Sequence, residues 1–145
     1  MEPKLLPPDA FLETFKLVPR VAVCLQVRGP RGEVLLSRRS EAMETMPGAW
    51  HYPGGFLLLG ETMEACAERV AKKELGASVR TVRPVGFFED LDGDPRGHVI
   101  DLVLEAELES APRATEETDA LEFFASVPSE VAFHHDRIMR AAGLA

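Results

Sequence analysis

"GGFLLLGETMEACAERVAKKELGA", residues Gly54–Ala77, is the stretch that decides the fold. A glycine pair opens it, an apolar turn follows, and a helix carrying acids and bases closes on another glycine. Thr62 is suited to cap the helix, its hydroxyl taking a backbone N–H of the first turn, and Gly76 stands where a C′ glycine belongs. With Met63 set at zero and about 100° per residue, Ala67, Val70 and Glu74 fall within roughly 40° of it. Three members of that stripe are small or apolar, and the fourth is an acid. A last-turn carboxylate meets the negative end of the helix dipole, so it either frays outward or has a cation in front of it. Gly54-Gly55 lets backbone approach a ligand closely. A backbone carbonyl beside a carboxylate makes an oxygen site suited to Mg²⁺ or Mn²⁺.

Working outward, "DAFLETFKL" after two prolines predicts a short helix capped by Asp9. "VAVCLQV" (Val21–Val27) predicts a buried strand, "RGPRG" a turn, and "EVLLSRR" (Glu33–Arg39) the partner strand of a hairpin. "WHYPGG" (Trp50–Gly55) is aromatic and then broken by Pro53 and the glycines. "VRTVRPVGFFE" (Val79–Glu89) and "HVIDLVLEAEL" (His98–Leu108) predict two further strands joined by "DLDGDPRG". "ALEFFASV" (Ala120–Val127) predicts a short strand, and "HHDRIMRAAGLA" a closing helix. Strands dominate around one central helix, a mixed α/β or α+β class.

The 145 residues suit one domain with a real core, 46% hydrophobic and 28% charged. A net charge of −8 argues against nucleic-acid binding. A small anionic ligand then needs local arginines, a divalent cation, or both. No apolar run approaches the roughly 18 residues of a membrane span, and "MEPKLLPPDAFLETF" lacks the pattern of a signal peptide. A cytoplasmic protein is the expectation. Cys24 and Cys66 sit in apolar segments without metal-type spacing and read as reduced core residues.

The spacing of Gly55, five residues, Glu61, seven residues, Arg69, then Glu74 and Gly76 resembles the Nudix box, G-x5-E-x7-R-E-U-x-E-E-x-G-U. "GEVLLSRRS" and "MPGAWHYPGG" look like the segments that precede the box, and "DPRGHVIDLVLEAEL" and "EETDALEFF" like the later strands. The resemblance implies a single Nudix domain over residues 1–145, an α/β/α sandwich with a mixed central sheet. It implies Mg²⁺- or Mn²⁺-dependent hydrolysis of a nucleoside diphosphate linked to another moiety, a nucleotide sugar or related pyrophosphate. A small nucleotide-type substrate is the implied partner, and family members often form homodimers. The alternative is a nucleotide-binding protein of this fold with little or no turnover.

The box is incomplete. Val70 and Lys73 stand where the full motif has glutamates, leaving Glu74. The reduced box is similar to that of the GDP-mannose mannosyl hydrolases, where one Mg²⁺ serves. Carried over, Gly54 and Glu74 are metal ligands, and the third falls in "TEET", Glu117 first and Glu116 second. The diphosphate would be met by Arg39, with Gly54, Gly55 and Arg96 lining the substrate site. Arg69 would contact substrate or pair with Glu61 or Glu68. That branch has a histidine base where Thr118 stands, and threonine accepts no proton near neutral pH. Glu117, His98, Glu89 and Asp90 are the alternatives, Glu117 first.

"DLDGD" (Asp90–Asp94) reads as a solvated loop that helps form the substrate pocket rather than a calcium site, because Pro95 occupies the position where the turn needs positive φ. His134 and His135 read as capping or surface residues. Trp50, His51 and Tyr52 read as core, with one of them available to stack on a nucleobase.

Overall fold

Five of the seven residues 20–26 are apolar, two of them valines, and the segment forms the centre of a sheet. The computed structural model describes residues 1–116 and 118–145. In it, β1 (Arg20–Gln26) runs parallel to β6 (Val99–Leu108) and antiparallel to β4 (Gly54–Phe56). Next to β6 lies β5 (Val79–Asp90), antiparallel to it, so this mixed sheet has the order β4-β1-β6-β5. A second, antiparallel sheet has the order β3-β2-β7, from Trp50–His51, Val34–Arg39 and Thr118–Phe124. Every predicted strand is present, within a residue or two at the ends for all but the last.

The expected hairpin of the first two long strands survives only at its root. Val27 O accepts the Leu35 N–H at 2.9 Å, and Arg28 bridges Val34; beyond that β1 and β2 diverge into different sheets. Both are buried on both faces, as their near-continuous apolar sequences require.

Alternate residues of β1 feed different cores. Val23 and Leu25 pack with Cys66, Ala67, Val70, Ala71 and Leu75 of the box helix. Cys24 joins Val34, Leu36, Tyr52, Val103, Ile138 and Met139, the last two from α3 (Asp136–Ala141). Burying each valine or leucine stabilises by about 1.5–3 kcal/mol, and the two clusters sandwich the sheets between helices. The first helix, α1 (Pro8–Leu17), closes one end, where Phe11 and Phe15 meet Phe56 edge to face at 5.3–5.5 Å. Its N-cap is Pro7, not Asp9, and makes no side-chain cap; proline fixes the entry φ instead. Phe88 and Phe124 pack inward while Phe87 and Phe123 are exposed, the alternation expected of strands. Among the described residues no helix is long and apolar enough to cross a membrane.

Candidate active site

The box helix, α2 (Met63–Val70), starts as its sequence dictates: Thr62 Oγ1 accepts the Ala65 N–H at 3.1 Å. It ends differently. Ala71–Leu75 is a π turn, closed by the Gly76 N–H on Ala71 O, with Gly76 left-handed at φ 58°. The wider turn breaks the 100° progression after Val70, and Glu74 leaves the stripe to face the glycine pair. Its Oε2 accepts the Gly54 N–H at 3.0 Å. The expected meeting of Glu74 and Gly54 is therefore present, made in this structure through the amide N–H of Gly54 rather than through its carbonyl.

Gly54 and Gly55 are where they are because backbone and core crowd them. A Cβ on Gly54 would stand 2.7 Å from Val23 O, and one on Gly55 would stand 3.2 Å from Val70 Cγ2. Val70, in place of an acid, is thus a core residue pressed against the glycine pair. Lys73 is exposed at the cavity edge.

Arg69 is committed to the box loop. Its Nε and Nη2 donate to the two Glu61 carboxylate oxygens at 2.8 and 2.9 Å, and Nη2 also donates to Phe56 O. Glu61 accepts the Leu58 N–H as well, and the arginine holds its carboxyl below the usual range. Glu68 instead pairs with Lys72 and accepts the Val79 N–H.

These elements surround a cavity of about 320 Å³. Gly54, Gly55, Arg39, Arg69 and Arg96 all line it, and so does Arg20, which the sequence had not marked. Arg96 chelates Asp94 with contacts of 2.9 and 2.7 Å. Arg39 donates from Nε to Thr45 O at 2.7 Å and lies 4.8 Å over the Phe133 ring. Arg20 donates to Thr14 Oγ1 and lies over Phe11, Phe15 and Phe56 at 5.1–5.4 Å. Burial first, and then the charge of Arg96, lower the pKa of both Arg20 and Arg39. Among the described residues neither has a carboxylate within ion-pair distance. Arg20 and Arg39, held on aromatic faces without an ion-paired carboxylate among the described residues, give the cavity positive charge suited to an anionic ligand. Leu5, Leu6, Met43 and Leu58 give the rim an apolar side.

The loop expected to carry the third ligand is fastened to the end of the box helix. Thr115 Oγ1 donates to Lys73 O at 2.5 Å and the Arg113 N–H donates to Leu75 O at 2.8 Å. Glu116 is exposed, Thr118 is buried with its hydroxyl accepting the Thr115 N–H, and Glu117 lies outside the described residues. His98 and Glu89 do not line the cavity; Asp90 does, where it accepts the Gly93 N–H.

The cavity floor is polar. Asp101, Cys24 and His135 are all buried there. Burial and the neighbouring Asp101 carboxylate push the Cys24 thiol well up, so it stays protonated, and its S–H donates to Asp101 at 3.7 Å. His135, read as a capping or surface residue, stands at the N-cap position of α3 without a side-chain cap bond, and it is buried at this floor, the chain before it being left-handed at Phe133 and His134 (φ 59° and 58°).

The fold agrees with what the chain resembles. The NUDIX domain family model matches residues 18–141. The chain belongs to the Nudix family. An ADP-ribose pyrophosphatase of Methanocaldococcus jannaschii is 31% identical over 127 residues, 86% of this chain and 73% of that protein. A MutT Nudix hydrolase structure from Burkholderia pseudomallei superposes with a TM-score of 0.74 at 27% identity, covering 87% of this chain and 98% of that one. The Nudix domain of Shewanella oneidensis NrtR, crystallised with ADP ribose, shares the fold at 18% identity and a TM-score of 0.68, over 94% and 97% of the two chains. The chain is a Nudix hydrolase, of a family that generally uses a divalent metal and acts on small nucleotide-type substrates.

Proposed function

We propose that this Nudix hydrolase cleaves a nucleoside diphosphate linked to a sugar, with ADP-ribose the first candidate, using Mg²⁺ or Mn²⁺. The observation that carries the reading is the contact of Glu74 with Gly54, which lines a cavity that Arg20, Arg39 and Arg96 also line. A diphosphate needs opposing positive charge, and a protein of net charge −8 supplies it only locally. The donor set suits a hard divalent cation: a carboxylate, Glu74, next to glycine backbone. Glu74 and Gly54 would hold that cation, with Glu117, or failing it Glu116, completing the set. When bound, it supplies Lewis-acid polarisation of a phosphoryl oxygen and charge for the leaving group. Arg39 and Arg20 orient the diphosphate, Arg96 shares its guanidinium between Asp94 and the ligand, and Glu117 takes the proton of the attacking water. Arg69 keeps the glycine loop in register through Glu61.

Attack at phosphorus is favoured over attack at the sugar carbon. The GDP-mannose-type reaction needs a histidine base where Thr118 stands, and the M. jannaschii relative carries the name of a pyrophosphatase. Incubation of ADP-ribose with Mg²⁺ in ¹⁸O-labelled water should give AMP and ribose 5-phosphate, one of them labelled. Glu74→Gln should lower kcat by about 10²-fold or more. ADP plus labelled ribose would move the attack to carbon, and no product from any diphosphate sugar would overturn the reading.

A further inference from the structure

Two buried imidazoles line this cavity, and one peptide unit holds both. The Tyr52 C=O lies 2.6 Å from His51 Nδ1, and the Tyr52 N–H lies 3.1 Å from His135 Nδ1. A carbonyl only accepts, so His51 carries its proton on Nδ1. An N–H only donates, so His135 Nδ1 carries none and its proton sits on Nε2. That Nε2–H faces Asp101 Oδ1 at 3.8 Å and Cys24 Sγ at 3.9 Å, and it belongs to the cavity floor. The same tautomer argues against a metal on Cys24, Asp101 and His135, since the nitrogen facing the other two is the protonated one and the cysteine is a thiol.

His51 Nε2 is then a bare lone pair. It has no hydrogen-bond partner among the described residues. It is not one of the fully enclosed unpartnered polar atoms, which are Ser37 Oγ and His98 Nε2. His51 is 8% exposed and lines the cavity, so the atom opens onto the ligand space. Burial, with the Arg39 guanidinium nearby, pushes its pKa down to about 3, so it is not a cation for phosphate. It repels an oxyanion and accepts from an O–H. Arg39, assigned to the diphosphate, is its neighbour: both lie against the Phe133 ring, at 4.8 and 5.9 Å.

We propose that the Tyr52 peptide fixes His51 and His135 in opposite tautomers, and that His51 Nε2 accepts a hydrogen bond from a sugar hydroxyl adjoining the diphosphate. This rests on the hydrolase reading above. It makes His51 a specificity residue, which penalises substrates that leave its lone pair unpaired.

The test has two parts that fail separately. Imidazole ¹⁵N NMR of the free protein at neutral pH should report Nδ1–H for His51 and Nε2–H for His135; the reverse pattern, or a protonated His51, overturns the proposal. Titration with ADP-ribose and Mg²⁺ should shift the His51 Nε2 resonance upfield, and inorganic pyrophosphate should not. In kinetics, His51→Phe should lower kcat/KM for ADP-ribose about 10- to 100-fold. It should change kcat/KM less than about threefold for the analogue lacking the hydroxyl that His51 meets. The two arms are an ADP alkyl ester, which lacks the second sugar, and the 2′,3′-dideoxyadenosine form of ADP-ribose. His51→Gln, whose amide oxygen reaches toward the same point, should recover most of the loss. Equal losses on every substrate overturn the specificity claim. Should no nucleotide turn over, the hydrolase reading fails, and the tautomers with the ADP-ribose shift still decide this proposal.

Discussion

At Gly54 and Gly55 the cost of a single methyl group separates two uses of glycine. A Cβ on Gly54 meets the Val23 carbonyl, part of a paired strand that cannot move aside. Gly54→Ala should therefore displace β4, costing about 1–3 kcal/mol, and should weaken metal affinity by shifting the N–H that Glu74 accepts. A Cβ on Gly55 crowds a Val70 methyl at 3.2 Å and makes ordinary contact with Arg69 Nη1 at 3.9 Å. Gly55→Ala should be destabilising alone and largely rescued by Val70→Ala, a non-additive pair visible in urea unfolding. Equal, additive costs at both glycines would mean that Val70 does not set the limit. The same contact explains why a carboxylate at position 70 is a poor probe of the metal site: it would enter the core before it met a cation.

At the scale of the element, the helix was legible because its ends carry strong local chemistry, Thr62 at one and Gly76 at the other. The stripe through Ala67 and Val70 followed from regular geometry. The π turn did not, because nothing in "AKKEL" opposes an ordinary α turn; the tie of Glu74 to Gly54, 20 residues back, is a tertiary contact. Arg69 could be read two ways from sequence, and its doubled bond to Glu61 decides for the loop clamp. Lys73 is an exposed position next to Glu74 that also lines the cavity. Replacing Lys73 by glutamate reverses a charge beside Glu74, and each unit charge at about 4 Å in water is worth about 1 kcal/mol. Lys73→Glu should tighten Mg²⁺ binding several-fold in calorimetry at low salt, with the gain shrinking as salt rises. Unchanged affinity would place the cation away from this turn.

Across the whole molecule, most strands could be read from runs of β-branched and aromatic residues, but their assignment to sheets could not. "VAVCLQV" and "EVLLSRR" look like hairpin arms, and a turn only fixes the first pair or two; the divergence of β1 and β2 depends on partners 79 or more residues away. The same non-locality hid His135, which joins Tyr52 across 83 positions. Closing the molecule around His51 also has a consequence for stability. In the unfolded chain this imidazole titrates near 6.5, and in the folded protein near 3. Above about pH 6.5 neither state binds the proton and the residue adds no slope. Below it the unfolded chain gains a proton that the folded protein refuses, so stability falls as pH drops from about 6.5 toward 3, by up to about 1.4 kcal/mol per pH unit. Glu61, with its carboxyl lowered by Arg69, works in the same direction: its stabilisation is present above about pH 4.5 and is lost below it. The window between pH 4.5 and 6.5 therefore separates the two. Urea midpoints over that window should fall with acidification for the wild type and fall markedly less for His51→Gln, while Glu61→Gln keeps the wild-type slope there and becomes shallower than wild type only below pH 4.5. Parallel curves for wild type and His51→Gln would mean that position 51 takes up its proton in the folded state as readily as in the unfolded chain.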